Sequence, residues 1–285
     1  MAIIPQQYKD ATTIIGKKDK NGKPVWFATG FMVGRFEGIN SQGEEMYSVY
    51  LITNKHVFEN FTDIELQYNL NNNATNLSLT LLKNGTKLYS EHNNKDIDIV
   101  AMSVNINQAV QNGINITFFS LKDDVLTLTN MKNTGVCDGT FTYALGFPVG
   151  IDNNLVDNIL KDPICRLGCI AKIEHLYHPA NKDHKYFIDS KIFPGNSGSP
   201  IINRPEFVSL NGTSSNSSSK LIGIVNSYLN YKEVLYSRQT QRDRMITEEN
   251  SGLAIVFPVD FIIETVEIER TRYTGLQTNQ KMQLP

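Results

Sequence analysis

The stretch FPGNSGSP sets Ser197 between Gly195 and Gly198, with a proline at each end. A serine flanked by glycines, beside backbone N–H groups that can converge on one point, suits an acyl-transfer nucleophile. Such a serine needs a base and a group to orient the base. His56 follows the apolar run YLITNK, where an imidazole can work as a general base near neutral pH. Asp98 heads the run IVAMSV, where its carboxylate can accept the imidazole N–H, fix the tautomer and stabilise the imidazolium. Taken singly, these are a surface histidine, a strand-capping aspartate and a turn. Jointly, in the order His, Asp, Ser, each at the edge of a strand-like run, they form one of the known chain orders of a serine triad. Asp96 is the other carboxylate in reach, but the pattern Asp-Ile-x-apolar fits Asp98 better. The G-x-S-x-G elbow does not apply, because Ser199 takes the second glycine position. The N–H groups of Gly195 and Ser197, with Asn196 between them, are the candidates for an oxyanion hole.

The elements that would position these residues are short runs rich in Val, Ile, Thr, Tyr and Phe between Gly, Asn and Pro clusters. This pattern predicts an all-β chain built as a sandwich or barrel. Helical spacing is clear at the end, where Val259, Ile262, Ile263 and Val266 share one face. The Ser-rich segment 203–220 reads as a surface hairpin, and the charged segment 230–250 as a long loop of functional interest. The 285 residues are 40% hydrophobic and 20% charged, enough for a sizeable core and unlike a disordered chain. A net charge of -2 gives no general attraction for nucleic acid or anionic membrane. No apolar run reaches spanning length and no signal peptide is evident. Three cysteines make a poor disulfide framework, which points to a reducing, cytoplasmic home.

The chain resembles the chymotrypsin-like (trypsin-fold) serine proteases, HtrA-type and related bacterial trypsin-like peptidases in particular. The resemblance runs from about Ala28 to Ile263. It rests on TGFMVG, ITNKHV, DIVAMSV, YALGFPVG, FIDSKIFPGNSGSPI, LIGIV with NSY, and SGLAIVFP. It implies two packed six-stranded antiparallel β-barrels with the triad in the cleft between them. The expected limits are about 1–118 for the first barrel, about 135–258 for the second and 259–272 for a closing helix. It assigns His56 as base, Asp98 as orienter and Ser197 as nucleophile. The substrate is expected to be a polypeptide pairing with strand 224–228, and no cofactor is required. Asn196 replaces the aspartate that pairs with a newly cut N-terminus in secreted relatives. The chain offers no room for the PDZ domain usual in HtrA-type proteins. A dedicated protein substrate or an activating partner is therefore an open expectation, as is a latent or catalytically silent peptide-binding module.

The pair Asp189-Ser190 imitates a tryptic pocket but lies eight residues before Ser197, where HtrA-type chains also carry an aspartate. The resemblance implies a mainly apolar pocket walled by Ile192, Asn226, Ser227, Tyr228 and Gly252, suited to small or branched aliphatic P1 residues. GNSGSP also resembles the glutamyl endopeptidases, for which Lys191 would be the counter-charge; their strand histidine is Val225 here. Cys165, Cys169, His175 and His178 are possible zinc ligands. Their Cys-x3-Cys and His-x2-His spacing is not a tight zinc-finger pattern, and buried thiols are the simpler explanation.

Overall fold

A computed structural model describes residues 4–70, 73–111, 113–114, 116–149, 162–178, 180–206, 215 and 218–282. Most of the Ser-rich segment 203–220 lies outside the described residues.

The first half is a curled antiparallel sheet. Its strands are β1 (Thr12–Lys18), β2 (Pro24–Ile39), β3 (Glu45–Thr53), β4 (Asp63–Leu70) and β5 (Asn73–Thr80), then, past the minor hairpin β6 (Leu82–Lys83) and β7 (Thr86–Lys87), β8 (Ser90–Glu91) and β9 (Val100–Ser103). They run in the order β5-β4-β1-β2-β3-β9-β8, with β10 (Phe119–Ser120) lying parallel to β2. Among the described residues the curled sheet does not pair its two ends, so this half is an open barrel. The second half is a closed six-stranded barrel in the order β11-β12-β13-β16-β15-β14. These strands are β11 (Phe141–Gly146), β12 (Ile164–Lys172), β13 (Tyr186–Asp189), β14 (Pro200–Asn203), β15 (Leu221–Ser237) and β16 (Arg242–Pro258).

Each half has its own apolar core. Leu51, Ile64, Leu66 and Val100 belong to the first, and Tyr186, Ile188, Ile201, Val225 and Val256 to the second. A third cluster welds the halves together. It gathers Phe31, Val33, Ile52, Ile99 and Phe119 from the first, Leu145, Ile202, Leu221, Ile224 and Phe257 from the second, and Val259, Ile262 and Val266 from the C-terminal helix (Val259–Met282).

That helix is longer than its apolar spacing predicts, and a carboxylate holds its middle. Glu269 is fully buried and accepts hydrogen bonds from Ser90 Oγ (2.7 Å), from Ser103 N (3.1 Å) and Oγ (3.0 Å), and from Arg272 Nε (2.7 Å) and Nη2 (2.6 Å). Arg272 Nη2 also donates to the Leu88 carbonyl at 3.0 Å. The middle of the helix is thus clamped to the first half. The segment expected as a loop over 230–250 is instead a paired ribbon, the outer parts of β15 and β16 joined by a turn at Arg238–Gln241.

Removing one side of a buried ion pair strands the other charge and costs about 3–5 kcal/mol. Arg272→Gln leaves the fully buried Glu269 without its counter-charge and should therefore lower the denaturant midpoint strongly. Glu269→Ala leaves Arg272, at the more exposed end of the pair, able to turn to water, and should cost less on this account. Urea unfolding of the two variants measures the difference.

Candidate active site

Antiparallel pairing brings His56 and Asp98 together. Thr53 at the end of β3 faces Val100 at the start of β9. His56 lies three residues beyond Thr53, in the short helix Lys55–Phe58, and Asp98 lies two residues before Val100. His56 Nδ1 and Asp98 Oδ2 are 2.5 Å apart, and the His56 backbone N–H donates to Asp98 Oδ1 at 3.1 Å. Asn54 Nδ2 donates to the Asp98 carbonyl at 2.8 Å, so the segment before the helix ties down the aspartate from its other side. With Nδ1 carrying the shared proton, the Nε2 lone pair is the basic face of the ring. Burial of Asp98 opposes its ionisation. The His56 hydrogen bond and charge, and the backbone N–H groups of His56 and Lys55, outweigh that, and the carboxyl is held below the usual carboxylate range. Asp96 is exposed, and its backbone N–H donates to Asn94 Oδ1 at 3.0 Å in the turn that leads to Asp98.

Ser197 stands between β13 and β14 in a loop with two obligatory glycines. Gly195 has φ +94°, and a Cβ there would lie 2.4 Å from the Phe147 carbonyl oxygen. Gly198 has φ +86°, and its Cβ would lie 2.0 Å from the Thr29 carbonyl oxygen. Both a left-handed backbone and close approach therefore demand glycine. The Pro194 carbonyl accepts from Val149 N at 2.8 Å. A trans peptide sets its N–H opposite its carbonyl, so this anchor turns the Gly195 N–H to the other side. Among the described residues neither Gly195 N nor Ser197 N donates within the protein. These are the two donors an oxyanion requires. Asn196 is fully buried, and among the described residues neither its side-chain nitrogen nor its oxygen has a hydrogen-bond partner. A neutral amide withstands that position far better than an unpaired aspartate would. Ser197 is partly exposed, and its Oγ donates to the Asn226 carbonyl at 3.3 Å.

The most connected residue of the site is one that the motifs do not reveal. Thr29, on β2, donates from Oγ1 to the Gly195 carbonyl at 2.7 Å and accepts at the same atom from Phe147 N at 3.0 Å. Its own N–H donates to the Ser197 carbonyl at 3.0 Å, and its carbonyl accepts from Thr53 Oγ1 at 2.8 Å. Thr29 thereby joins the histidine strand of the first half to the serine loop of the second. Its only trace in the sequence is a small β-branched hydroxyl before Gly30.

Of the residues expected to wall a pocket, Asn226, Ser227, Tyr228 and Gly252 are partly exposed on neighbouring stretches of β15 and β16, and Lys191 is exposed. Ile192 is only 1% exposed, with its side chain in the core of the second barrel. Its carbonyl accepts from Asn250 Nδ2 at 2.5 Å. Asn250 Oδ1 in turn accepts from Gly252 N at 2.8 Å, and Ser190 N donates to the Gly252 carbonyl at 2.9 Å. Asp189 pairs with Cys169 on one side and Leu253 on the other, and a Cβ at Gly252 would lie 3.8 Å from its Oδ1. Cys165 and Cys169 sit four residues apart on β12, while His175 Nε2 lies 3.0 Å from the Lys185 carbonyl oxygen. Among the described residues no group of three or more His, Cys, Asp or Glu side chains is placed to hold a metal ion.

A family model described as the trypsin-like peptidase domain matches residues 28–208. Among solved structures, the apo MamO protease domain from Magnetospirillum magneticum is 16% identical over 91% of this chain and 97% of its own, with a TM-score of 0.48. The structure of GrC is 13% identical over 95% of this chain and 97% of its own, with a TM-score of 0.44. No curated protein sequence matches the chain.

Two expectations follow from the site. Thr29→Val leaves the buried Gly195 carbonyl and Phe147 N–H unpaired, so it should cost about 2 kcal/mol. It should also broaden the Gly195 and Ser197 amide resonances in NMR spectra while leaving those of β4 and β5 sharp. The depressed Asp98 pKa contributes stability that is complete above the unfolded value of about 3.9. That contribution is lost as pH falls through the lower folded value. Asp98→Asn should therefore flatten the acid limb of a stability-versus-pH curve, read by thermal unfolding between pH 2 and 5.

Proposed function

Since the chain belongs to the trypsin-like peptidase domain family, we propose that it is a serine endopeptidase working through His56, Asp98 and Ser197. The observation that carries this is the 2.5 Å contact of His56 Nδ1 with an ionised, backbone-held Asp98, next to a serine loop that offers two free amide donors. In the proposed cycle His56 Nε2 takes the Ser197 proton as Oγ attacks the scissile carbonyl carbon. The carbonyl π electrons move to oxygen, and the N–H groups of Gly195 and Ser197 receive the oxyanion. Collapse of the tetrahedral adduct breaks the C–N bond, and the imidazolium gives its proton to the leaving amine. Water, deprotonated by His56, then attacks the acyl ester and releases the acid and Ser197. Asp98 stabilises the imidazolium throughout and stays ionised. An extended polypeptide would pair with β15 beside Ser197. The three cysteines are free thiols, which fits a reducing, cytoplasmic setting.

One observation favours a second state of the same protein. The Ser197 hydroxyl points its hydrogen bond at the Asn226 carbonyl, so it must rotate towards His56 before it can react. A latent enzyme that a substrate or partner switches on would rest in this way. Apo hydrogen bonds of catalytic groups are often loose, however, and tighten on binding.

Labelling with a fluorophosphonate probe, followed by peptide mapping, tests the proposal. Label on Ser197 that is lost in His56→Ala, with turnover of peptide substrates reduced about 10⁴-fold in Asp98→Asn, is the expected outcome. Folded protein that takes no label, alone or in host lysate, would refute a protease role.

A further inference from the structure

The outer ribbon of β15 and β16 is unlike the rest of the second barrel. Beyond Asn226, β15 pairs with β16 along one edge and, among the described residues, with no strand along the other. The free edge begins at the residue whose carbonyl touches Ser197 Oγ and runs to Ser237. At about 3.3 Å per residue it is roughly 36 Å long. The ribbon is apolar on both faces. Val234 faces Ile246 on one side and Leu235 faces Met245 on the other, and these four are 47–59% exposed, with Tyr231 at 61%. Its charge is uneven along its length. The Lys232–Glu248 ion pair (2.8 Å), Glu233 and Glu249 lie nearer the barrel, whereas at the tip the exposed Arg238, Arg242 and Arg244 outnumber its one acidic residue, Asp243. A free edge flanked by exposed apolar side chains is an open template for another strand, and solvent alone is a poor occupant.

We propose that this edge is an extended substrate-docking rail, which reads the polypeptide far upstream of the scissile bond. The inference rests on the protease reading for its orientation. A substrate running antiparallel to β15 with its cleavage point at Ser197 carries its N-terminal side outward along the ribbon. Residues about five to ten positions before the cut then lie beside Tyr231 to Tyr236, and those further upstream reach the arginines. The matching chemistry is an extended, β-prone apolar segment preceded by acidic residues. Backbone pairing along the rail supplies affinity, and the arginine tip fixes direction and register.

The test uses the Ser197→Ala protein, which binds without cutting, and two fluorescein-labelled peptides. Both carry the same β-prone apolar sequence of about twelve residues. One is headed by a run of Asp and the other by a run of Lys. The Asp-headed peptide should bind about ten-fold more tightly by fluorescence anisotropy, and rising salt should erode that preference. Arg238→Glu, Arg242→Glu and Arg244→Glu together should reverse the order. Equal affinities, or a preference that survives the charge reversal, would overturn the rail. So would sedimentation showing that the ribbon pairs two copies of this chain and excludes both peptides. Fluorophosphonate labelling of the Ser197 protein reports separately on the protease reading, so failure of one leaves the result for the other intact.

Discussion

The site depends on a single buried threonine. Each half of the molecule can build its own core, but neither alone can set the Ser197 loop beside the His56–Asp98 pair. Thr29 closes that gap with backbone and hydroxyl together, holding the carbonyls of Gly195 and Ser197 from a strand of the opposite half. The short distances involved leave no space for side chains, which is why Gly195 and Gly198 are glycines with positive φ. Hydrogen bonds made in a dry interior are strong, and leaving their partners unmade is costly, so the loop has one position in which all of them are satisfied.

Around that fixed loop the electrostatics are simple. Asp98 would gain by being neutral if burial acted alone, but the His56 ring and two amides from the start of a short helix keep it charged. The charge in turn decides which ring nitrogen carries the proton. Asn196 shows the complementary choice, a side chain that needs no counter-ion in a place where a charge would have none.

The candidate site was more legible in the sequence than its support. His56, Asp98 and Ser197 stand in local patterns that short windows reveal, and the many short strands announced an all-β chain. Thr29 and Asn54 were invisible because their roles are set by partners far along the chain: Gly195 lies 166 positions from Thr29, and Asp98 lies 44 from Asn54. Ile192 looked like a pocket wall because its offset from Ser197 says nothing of which way its side chain turns. The ribbon was taken for a loop because its apolar residues do not alternate. Tyr231, Val234, Leu235, Met245 and Ile246 fall on both faces of a two-stranded element with no core beneath it, so the period of two is lost. The closing helix keeps no apolar stripe past Val266 for a different reason, since the buried Glu269 holds its middle by hydrogen bonds.

That clamp also sets a timetable. Ser103 and Glu269 are separated by 166 positions, and Ser90 and Glu269 by 179. On a ribosome adding 5–20 residues per second, the first half therefore waits roughly 10–30 s for the partner that covers it. Ser197 too is made long after the strand that must grip its loop. A nascent chain with most of its length in solution has no Ser197 loop assembled beside His56 and Asp98, so the site is withheld during synthesis by connectivity alone.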